Sequence, residues 1–219
     1  NQVNIDLSYY DKVEHFSIRG NSISLSVDNA PEKPKKKRPL RTKIPSFYSN
    51  NIPSSLKVLR LNGIKNLISL GNGNFDHLQS IEIEDCEKFK SLVGLGNIPS
   101  VRLSDLPSLT SLEGLSSRNQ KVLVSFLDVT DFSPLKNAKD LTLLSCPNLT
   151  STNTLANVKR LLINDCSQLS DLKGMKQLEQ LALIGCDNVK SIKGLKGNVK
   201  LLVRDCSCLD DFDGYVSGK

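Results

Sequence analysis

One hydrophobic pattern occurs twice in succession between residues 158 and 195. Apolar residues or Cys occupy positions 1, 4, 6, 9, 12, 15 and 18 of each copy: Val158, Leu161, Ile163, Cys166, Leu169, Leu172 and Met175, then Leu178, Leu181, Leu183, Cys186, Val189, Ile192 and Leu195. The same frame begins at Leu56, Leu78, Ile98, Arg118, Ala138 and Asn198, and every step between starts except the first is 20 residues. Self-similarity at a fixed short period is typical of a solenoid.

The spacing within each copy predicts one strand and one compact return. Apolar residues that alternate at positions 4 and 6 indicate a short, half-buried strand. Apolar residues at every third position after the strand favour a 3₁₀-like return. Gly, Pro or Thr precedes the last apolar residue of each coil and bends the chain toward the next strand: Gly94, Gly114, Pro134, Thr154, Gly174, Gly194 and Gly214. Because one coil cannot bury its own apolar edge, we expect an α/β-type solenoid with a parallel, concave β-sheet, short irregular or 3₁₀ convex returns and few or no α-helices.

The pattern Leu-x-x-Leu-x-Leu-x-x-Cys-x-x-Leu-x-x-Leu, which runs from Leu56 to Tyr215, resembles the leucine-rich repeat. With Cys at position 9 it is similar to the repeats of plant disease-resistance receptors, and its short return is similar in length to those of bacterial internalins. The resemblance implies a binding scaffold. It does not imply a particular partner, because such folds serve many unrelated functions.

Three regions are predicted along the chain. Residues 1–30 form a diverged coil or cap, in which Val13, Phe16, Ile18, Asn21 and Ile23 fit the frame and Val3, Ile5 and Leu7 could form a covering strand. Residues 31–55 form a basic, Pro-rich insertion or loop, and residues 56–219 form the solenoid of eight coils. No polar capping repeat follows the last coil, so we expect the solenoid to be part of a longer protein.

The net charge of +6 is concentrated in one segment. Residues 31–44 hold seven Lys or Arg and one Glu, which leaves 22 basic and 22 acidic residues elsewhere. The solenoid itself is therefore not predicted to bind nucleic acid. Within the segment, Lys35, Lys36, Lys37 and Arg38 resemble a nuclear-import signal. A solvated loop, or contact with phosphate or anionic lipid, is the alternative.

Five of the six cysteines occupy position 9 of their coils: Cys86, Cys146, Cys166, Cys186 and Cys206. In this frame Ile64, Leu106 and Phe126 fill the same position elsewhere, which indicates that Cys acts as a small buried hydrophobe. A straight column of thiols cannot converge tetrahedrally on zinc, and stacked Cys side chains run nearly parallel, which disfavours disulfides. Free thiols favour an intracellular location, cytoplasmic or nuclear, although a secreted or surface location stays open.

Little in the sequence indicates catalysis. The chain has two His and no Trp, and it lacks a phosphate-binding Gly loop, metal-spaced His/Glu sets and a nucleophile elbow. His77 is interpreted as a turn residue. The acidic clusters, which could attract a cation, are interpreted as solvated faces: Glu82, Glu84 and Asp85, then Asp205, Asp210, Asp211 and Asp213. We therefore expect no enzyme activity, cofactor, metal, small-molecule substrate or membrane span.

The outward positions 5 and 7 of the strands are the informative surface. They are charged or polar in the first three coils from Leu56 and largely apolar afterwards, which predicts a partner-binding stripe on the concave strand face: Val122, Val124, Leu144, Leu162, Ile184 and Leu202. Lateral packing of aliphatic side chains between strands is the alternative. The leading hypothesis is a non-enzymatic protein–protein recognition scaffold. The alternatives are the recognition arm of a larger receptor, signalling or ligase protein and, more weakly, a nuclear or nucleic-acid-associated protein that uses the basic loop.

Overall fold

The computed structural model of the protein describes residues 15–19, 22–26, 52–71, 75–193, 195 and 198–212. Within these residues, ten strands of five residues form a single sheet: β1 (His15–Arg19), β2 (Ser22–Ser26), β3 (Val58–Asn62), β4 (Ser80–Glu84), β5 (Ser100–Ser104), β6 (Lys121–Ser125), β7 (Asp140–Leu144), β8 (Arg160–Asn164), β9 (Gln180–Ile184) and β10 (Lys200–Arg204). The described helical structure consists of one 3₁₀ turn, Ser133–Asn137. The predicted solenoid of parallel strands with compact, nearly helix-free returns is confirmed.

Each strand from β3 to β9 pairs in parallel with the strands of the coils before and after it, and β10, the last described strand, pairs with β9. The order in the sheet is β10-β9-β8-β7-β6-β5-β4-β3-β1-β2. The register places equivalent positions side by side, so that Leu161 lies between Leu141 and Leu181. Parallel strands with one coil per crossover are the arrangement in which each coil covers the apolar edge of the next.

The core follows the repeat closely. In β8 the side chains of Leu161 and Ile163 are buried, whereas that of Leu162 between them is only half-buried. The return that follows buries Cys166, Leu169 and the third-spaced residues after them. Side chains at positions 4 and 6 therefore point into the solenoid and those at position 5 point out, because alternate residues of a strand face opposite sides of the sheet.

Glycine is needed where two returns pack closely. Gly114 and Gly174, which the sequence placed in this turn, have φ of +110° and +83°. A Cβ at Gly114 would lie 2.5 Å from the carbonyl oxygen of Leu92, and one at Gly174 would lie 2.7 Å from that of Asn153. Both the left-handed backbone and the close approach of the preceding coil exclude a side chain.

The coil that contains β6 departs from the predicted frame by one residue. The prediction placed Lys121 at an inward position and left Val122 and Val124 on the surface. In the structure Val122 and Val124 are buried, with exposed fractions of 3% and 0%, and Leu123 faces outward. Their prediction as surface residues is wrong, because a one-residue register change moves every side chain to the other face of the sheet and burial favours Val over Lys.

The frame shift is confined to one coil. Strand starts advance by 21 residues from Ser100 to Lys121 and by 19 from Lys121 to Asp140, so the ladder is back in phase at β7. The extra residue lies before β6, where the buried side chain of Asn119 closes the longer turn. Asn119 Nδ2 donates to the carbonyl oxygen of Ile98 (2.6 Å), and Asn119 Oδ1 accepts from the backbone N–H of Ser116.

We expect Asn119→Leu to destabilise the solenoid by about 1–3 kcal/mol, although Leu occupies the same position in other coils. The substitution removes the amide group that bonds to Ile98 and Ser116. It leaves the buried carbonyl oxygen of Ile98 without this donor. Chemical denaturation measures the loss. Gln120→Ala in the same turn removes an exposed hydrogen bond to Ser117 and is the control, expected to change stability by less than about 0.5 kcal/mol. An Asn119→Leu protein as stable as the wild type would contradict this role.

The N-terminal segment begins as a coil and then reverses. β1 pairs in parallel with β3, with Phe16 beside Leu59 and Ile18 beside Leu61, as the predicted coil strand requires. Ser22–Ser26 then pairs antiparallel with β1 at the end of the sheet. Ile23, which fits the coil frame in the sequence, is therefore part of the antiparallel strand β2 at this end of the described sheet. Val3, Ile5 and Leu7 lie outside the described residues, and the domain boundaries stay predictions.

Candidate functional site

The outward-facing surface of strands β3 to β10, called the strand face below, consists of three rows of side chains, at positions 3, 5 and 7 of the coils. Positions in the β6 coil are counted from Asn119, one residue later than the predicted start, because the ladder pairs Leu123 with Arg102. The central row, position 5, contains Arg60, Glu82, Arg102, Leu123, Thr142, Leu162, Ala182 and Leu202. The row nearest the ends of the strands, position 7, contains Asn62, Glu84, Ser104, Ser125, Leu144, Asn164, Ile184 and Arg204. Hydrogen bonding between the strands holds all of these residues at a fixed register.

The first three coils of the strand face carry a network of charged side chains. Glu82 lies between two guanidinium groups, 3.3 Å from Arg60 Nε and 3.6 Å from Arg102 Nη1. In the neighbouring row Asn62 Nδ2 donates to Glu84 Oε2 (2.6 Å). Glu82 and Glu84, one of the predicted acidic clusters, are thus engaged with cations and amides of the same face.

From β6 onward each strand carries one large apolar side chain on the strand face, beside the smaller or polar Ser125, Thr142, Asn164, Ala182 and Arg204. Leu144, Leu162 and Ile184 are half-buried, and Leu202 is 46% exposed. A depression of about 440 Å³ lies between the first and central residues of strands β7 to β10. Its outward lining combines Thr142, Leu162, Ala182 and Leu202 with the polar or charged Asp140, Arg160, Gln180 and Lys200. The structure therefore places four of the six predicted stripe residues together on the surface. Leu123 joins them in place of Val122 and Val124, and the sequence reasoning missed it because it assigned β6 to the wrong frame.

The edge of the strand face at which the strands begin is mainly basic. Positions 2 and 3 of the coils bring together six basic and two acidic residues: Lys57, Lys121, Lys139, Lys159, Arg160 and Lys200, with Asp140 and Glu179. Arg160 Nη2 donates to Asp140 Oδ2 (2.7 Å), which raises the pKa of Arg160, and Lys159 Nζ lies 2.7 Å from Glu179 Oε1. Both carboxylates are thus paired with cations of this edge. Because basic residues outnumber acidic ones there, the edge has a net positive charge.

The opposite edge, at which the strands end, is mainly acidic and has an unusual backbone. Position 8 of all eight coils has positive φ, between 48° and 66°: Gly63, Asp85, Asp105, Phe126, Ser145, Asp165, Gly185 and Asp205. In each coil from that of Gly63 to that of Gly185, the backbone N–H of position 8 donates to a carbonyl oxygen of the following coil. Asp105, for example, donates to Ser125 (3.1 Å). Gly and Asp suit this column, because they tolerate the left-handed region better than most residues.

Phe126 belongs to this column and not to the row of cysteines. Its prediction as a buried position 9 residue is wrong, since its side chain is 57% exposed and Leu127 fills the buried position of that coil. The cause is the same one-residue register change as for Val122. The exchange leaves the logic of the cysteine position intact, because Ile64, Leu106 and Leu127 are all buried and apolar.

The cysteines at position 9 are free thiols within the core. Cys86, Cys146, Cys166 and Cys186 are buried, Cys206 is half-buried, and Cys208 is exposed. The buried thiols donate weakly to backbone carbonyls two residues before them, as Cys186 Sγ does to Ile184 (3.3 Å). Burial raises the pKa of Cys186 from 9.0 to about 11, and the neighbouring Cys166 thiol together with burial raises the pKa of Cys146.

His77 and the second predicted acidic cluster add no site to the strand face. His77 lies in the turn before Leu78 as predicted, and Asp211 accepts from Ser191 Oγ (2.8 Å). Among the described residues, no group of three or more His, Cys, Asp or Glu is arranged to hold a metal. The basic segment with Lys35, Lys36, Lys37 and Arg38, and also Asp213, lies outside the described residues, so the import-signal hypothesis stays a prediction.

No protein-family profile matches the chain, and neither a curated protein nor a solved structure is significantly similar to it. The described part of the chain contains no helix that is long and apolar enough to cross a membrane. The fold class, a parallel β-solenoid built from repeated coils, therefore rests on the geometry of this molecule itself.

Proposed function

We propose that the protein is a non-enzymatic recognition scaffold that binds another protein on the strand face. One observation carries the proposal: each of the five successive strands β6 to β10 presents one large apolar side chain outward. These side chains are called the apolar stripe: Leu123, Leu144, Leu162, Ile184 and Leu202. Contiguous apolar surface that is bordered by charged residues is typical of an interaction site. The basic and acidic edges supply that border.

The rigidity of the surface supports the same proposal. Every residue of the apolar stripe stands on a strand that is hydrogen-bonded on both sides, apart from Leu202 on β10, the last described strand of the sheet. A preformed surface loses little conformational entropy when a partner binds. Lateral contact between Leu162 and its neighbours on adjacent strands stabilises the sheet as well, but it does not require the half-exposed side chains to be apolar along five successive strands.

We also propose that the coils are leucine-rich repeats of the Cys-containing type. The 20-residue period, the parallel strands and the buried Leu positions support this assignment. The strand face would serve equally in an independent protein or in the recognition arm of a larger receptor, signalling or ligase protein. The free thiols support a reducing compartment, hence an intracellular location.

Leu162→Glu is expected to weaken partner binding by roughly thirtyfold, about 2 kcal/mol, because it places a charge at the centre of the apolar stripe. The fold should lose only about 0.5 kcal/mol, since the side chain points out of the core. The measurement is affinity capture with the wild-type protein, identification of the captured partner, and titration of that partner against the variant, with melting temperature recorded in parallel.

The control is Ile68→Glu, which changes an equally apolar side chain that is 51% exposed but lies on a return, away from the strand face. It should leave binding unchanged. A Leu162→Glu protein that melts normally and binds the partner as tightly as the wild type would place the interface elsewhere.

A further inference from the structure

Phe126 is the least suitable residue in the left-handed column at the acidic edge. Its φ is +52°, within the same range as Asp105 and Ser145 on either side. Asp, Gly and Ser at this position have short side chains, whereas a bulky residue in the left-handed region is an outlier that costs free energy. Phe126 also leaves an aromatic ring 57% exposed. Neither the backbone nor the core therefore explains why this coil carries Phe.

The surroundings of Phe126 indicate what the ring could contact. Asp105 occupies the same position of the preceding coil, so the two backbones lie about 5 Å apart across the parallel ladder. The exposed Asp105 carboxylate accepts a hydrogen bond from Ser104 Oγ (3.1 Å) and forms no ion pair with another described residue. An aromatic face beside a carboxylate is a favourable environment for a cation.

We propose that Phe126 and Asp105 together bind a lysine or arginine side chain of the protein partner whose apolar residues cover the apolar stripe. The ring supplies a cation–π contact and the carboxylate an ion pair. This inference deepens the function proposed above and rests on it. It makes the acidic edge, at β5 and β6, the place where the partner is fixed in register.

The charge distribution of the strand face commits the partner to one chemistry. The edge at which strands begin holds six basic and two acidic residues, whereas positions 7 and 8 at the other edge hold five acidic residues and one basic residue: Glu84, Asp85, Asp105, Asp165 and Asp205, with Arg204. A complementary polypeptide presents apolar residues in the middle, acidic residues toward the first edge and basic residues toward the second. A partner with one uniform charge, such as a nucleic acid or an anionic membrane, would meet repulsion at the acidic edge.

The test uses a phage-displayed library of random 15-residue peptides selected on the wild-type protein, with the tightest clones prepared as synthetic peptides. Their affinities are measured for the wild type, Phe126→Asn, Phe126→Tyr, Asp105→Asn, Leu162→Glu and Val93→Ser. Asn suits the left-handed backbone and leaves the charge unchanged, so it removes only the ring. Val93 is 59% exposed on a return and serves as the control.

We expect the selected peptides to contain Lys or Arg beside apolar residues and to lose at least about tenfold in affinity for Phe126→Asn. Phe126→Tyr and Val93→Ser should stay within about twofold of the wild type, and Asp105→Asn should weaken binding and reduce its dependence on salt. The melting temperature of Phe126→Asn should rise by about 2–4 °C, because the strained aromatic residue is replaced by one that tolerates this backbone.

The outcomes separate the two proposals. Peptides that lose affinity for Leu162→Glu but bind Phe126→Asn and Asp105→Asn as tightly as the wild type would overturn the anchor and leave the strand face as the binding surface. Peptides that are indifferent to all of these substitutions would overturn both proposals. A lower melting temperature for Phe126→Asn would show that the ring serves the fold, and this result would also overturn the anchor.

Discussion

Leu183→Glu is expected to unfold the C-terminal coils of the solenoid. Leu183 is fully buried in β9, where it lies in the ladder between Ile163 and Val203. A carboxylate at this position has no described cation beside it in the core, and burying an unpaired charge costs several kcal/mol or more. We expect a loss of at least about 4 kcal/mol, which is comparable with the whole stability of many domains.

The damage should stay local, because each coil contacts only the coils beside it. Hydrogen exchange followed by mass spectrometry should show fast exchange from β8 to β10 and continued protection in β3 to β5. Ile184→Glu is the control, since the adjacent side chain is half-buried on the strand face; it should melt within a few degrees of the wild type. Normal protection around β9 in Leu183→Glu would mean that the inward and outward positions assigned to this strand are reversed.

In the native protein Cys208 should react with iodoacetamide at least a hundredfold faster than Cys186. The thiolate is the reactive form, and at pH 8 the Cys186 thiol, with a pKa of about 11, is only about 0.1% ionised. Burial adds a second barrier, because the coil must open before reagent can reach the sulfur. Cys86 and Cys146, whose pKa values are also raised, should be protected in the same way.

Peptide mapping after timed alkylation measures each cysteine within one sample, so Cys208 is an internal control. Denaturant should abolish the difference in rate. A metal chelator should leave the melting temperature unchanged if the thiols act only as packed apolar groups. Rapid modification of Cys186 in the folded protein, or a fall in melting temperature with chelator, would contradict the packing role.

Most of the solenoid could be predicted because its determinants repeat. Leu161 and Ile163 point inward for the same reason as Leu181 and Leu183, so each coil checks the assignment of its neighbours. The period also predicted the glycine turns, since Gly114 and Gly174 recur at one position and the close approach of the preceding coil requires them. A repeated pattern of this kind therefore predicts which positions of each coil face the core of the solenoid.

The assignment failed where two frames satisfied the same rule. Val122 and Leu123 are both apolar, as are Phe126 and Leu127. The periodicity alone therefore could not decide which residue of each pair faces the core. Tertiary hydrogen bonding decides it: Asn119 closes a longer turn through the carbonyl of Ile98. Lys121 at position 4 of the predicted frame, with Val122, Val124 and Phe126 beside it, indicates a local bulge or register shift in the sequence, and the structure contains that shift.

The candidate site was predicted only in part for the same reason. Leu144, Leu162, Ile184 and Leu202 follow from alternation along their strands, whereas the exposure of Phe126 follows from the shifted frame. The left-handed backbone of position 8 has a weak sequence signal, namely Asp or Gly in six of the eight coils. The antiparallel pairing of β2 with β1 had no signal of this kind, because Ile23 also fitted a coil.

The frame shift at β6 is compensated within one coil, because the extra residue before β6 is offset by one residue fewer before β7. Beyond it, β7 to β10 begin 20 residues apart, so these coils follow one another in phase. A gene duplication that copies a whole number of these coils would therefore keep the strands of the sheet in register. A join inside the β6 coil would instead shift the repeat frame of every coil after it by one residue. The C-terminal half is thus the part of the molecule in which evolution, or a designer, can lengthen the chain freely.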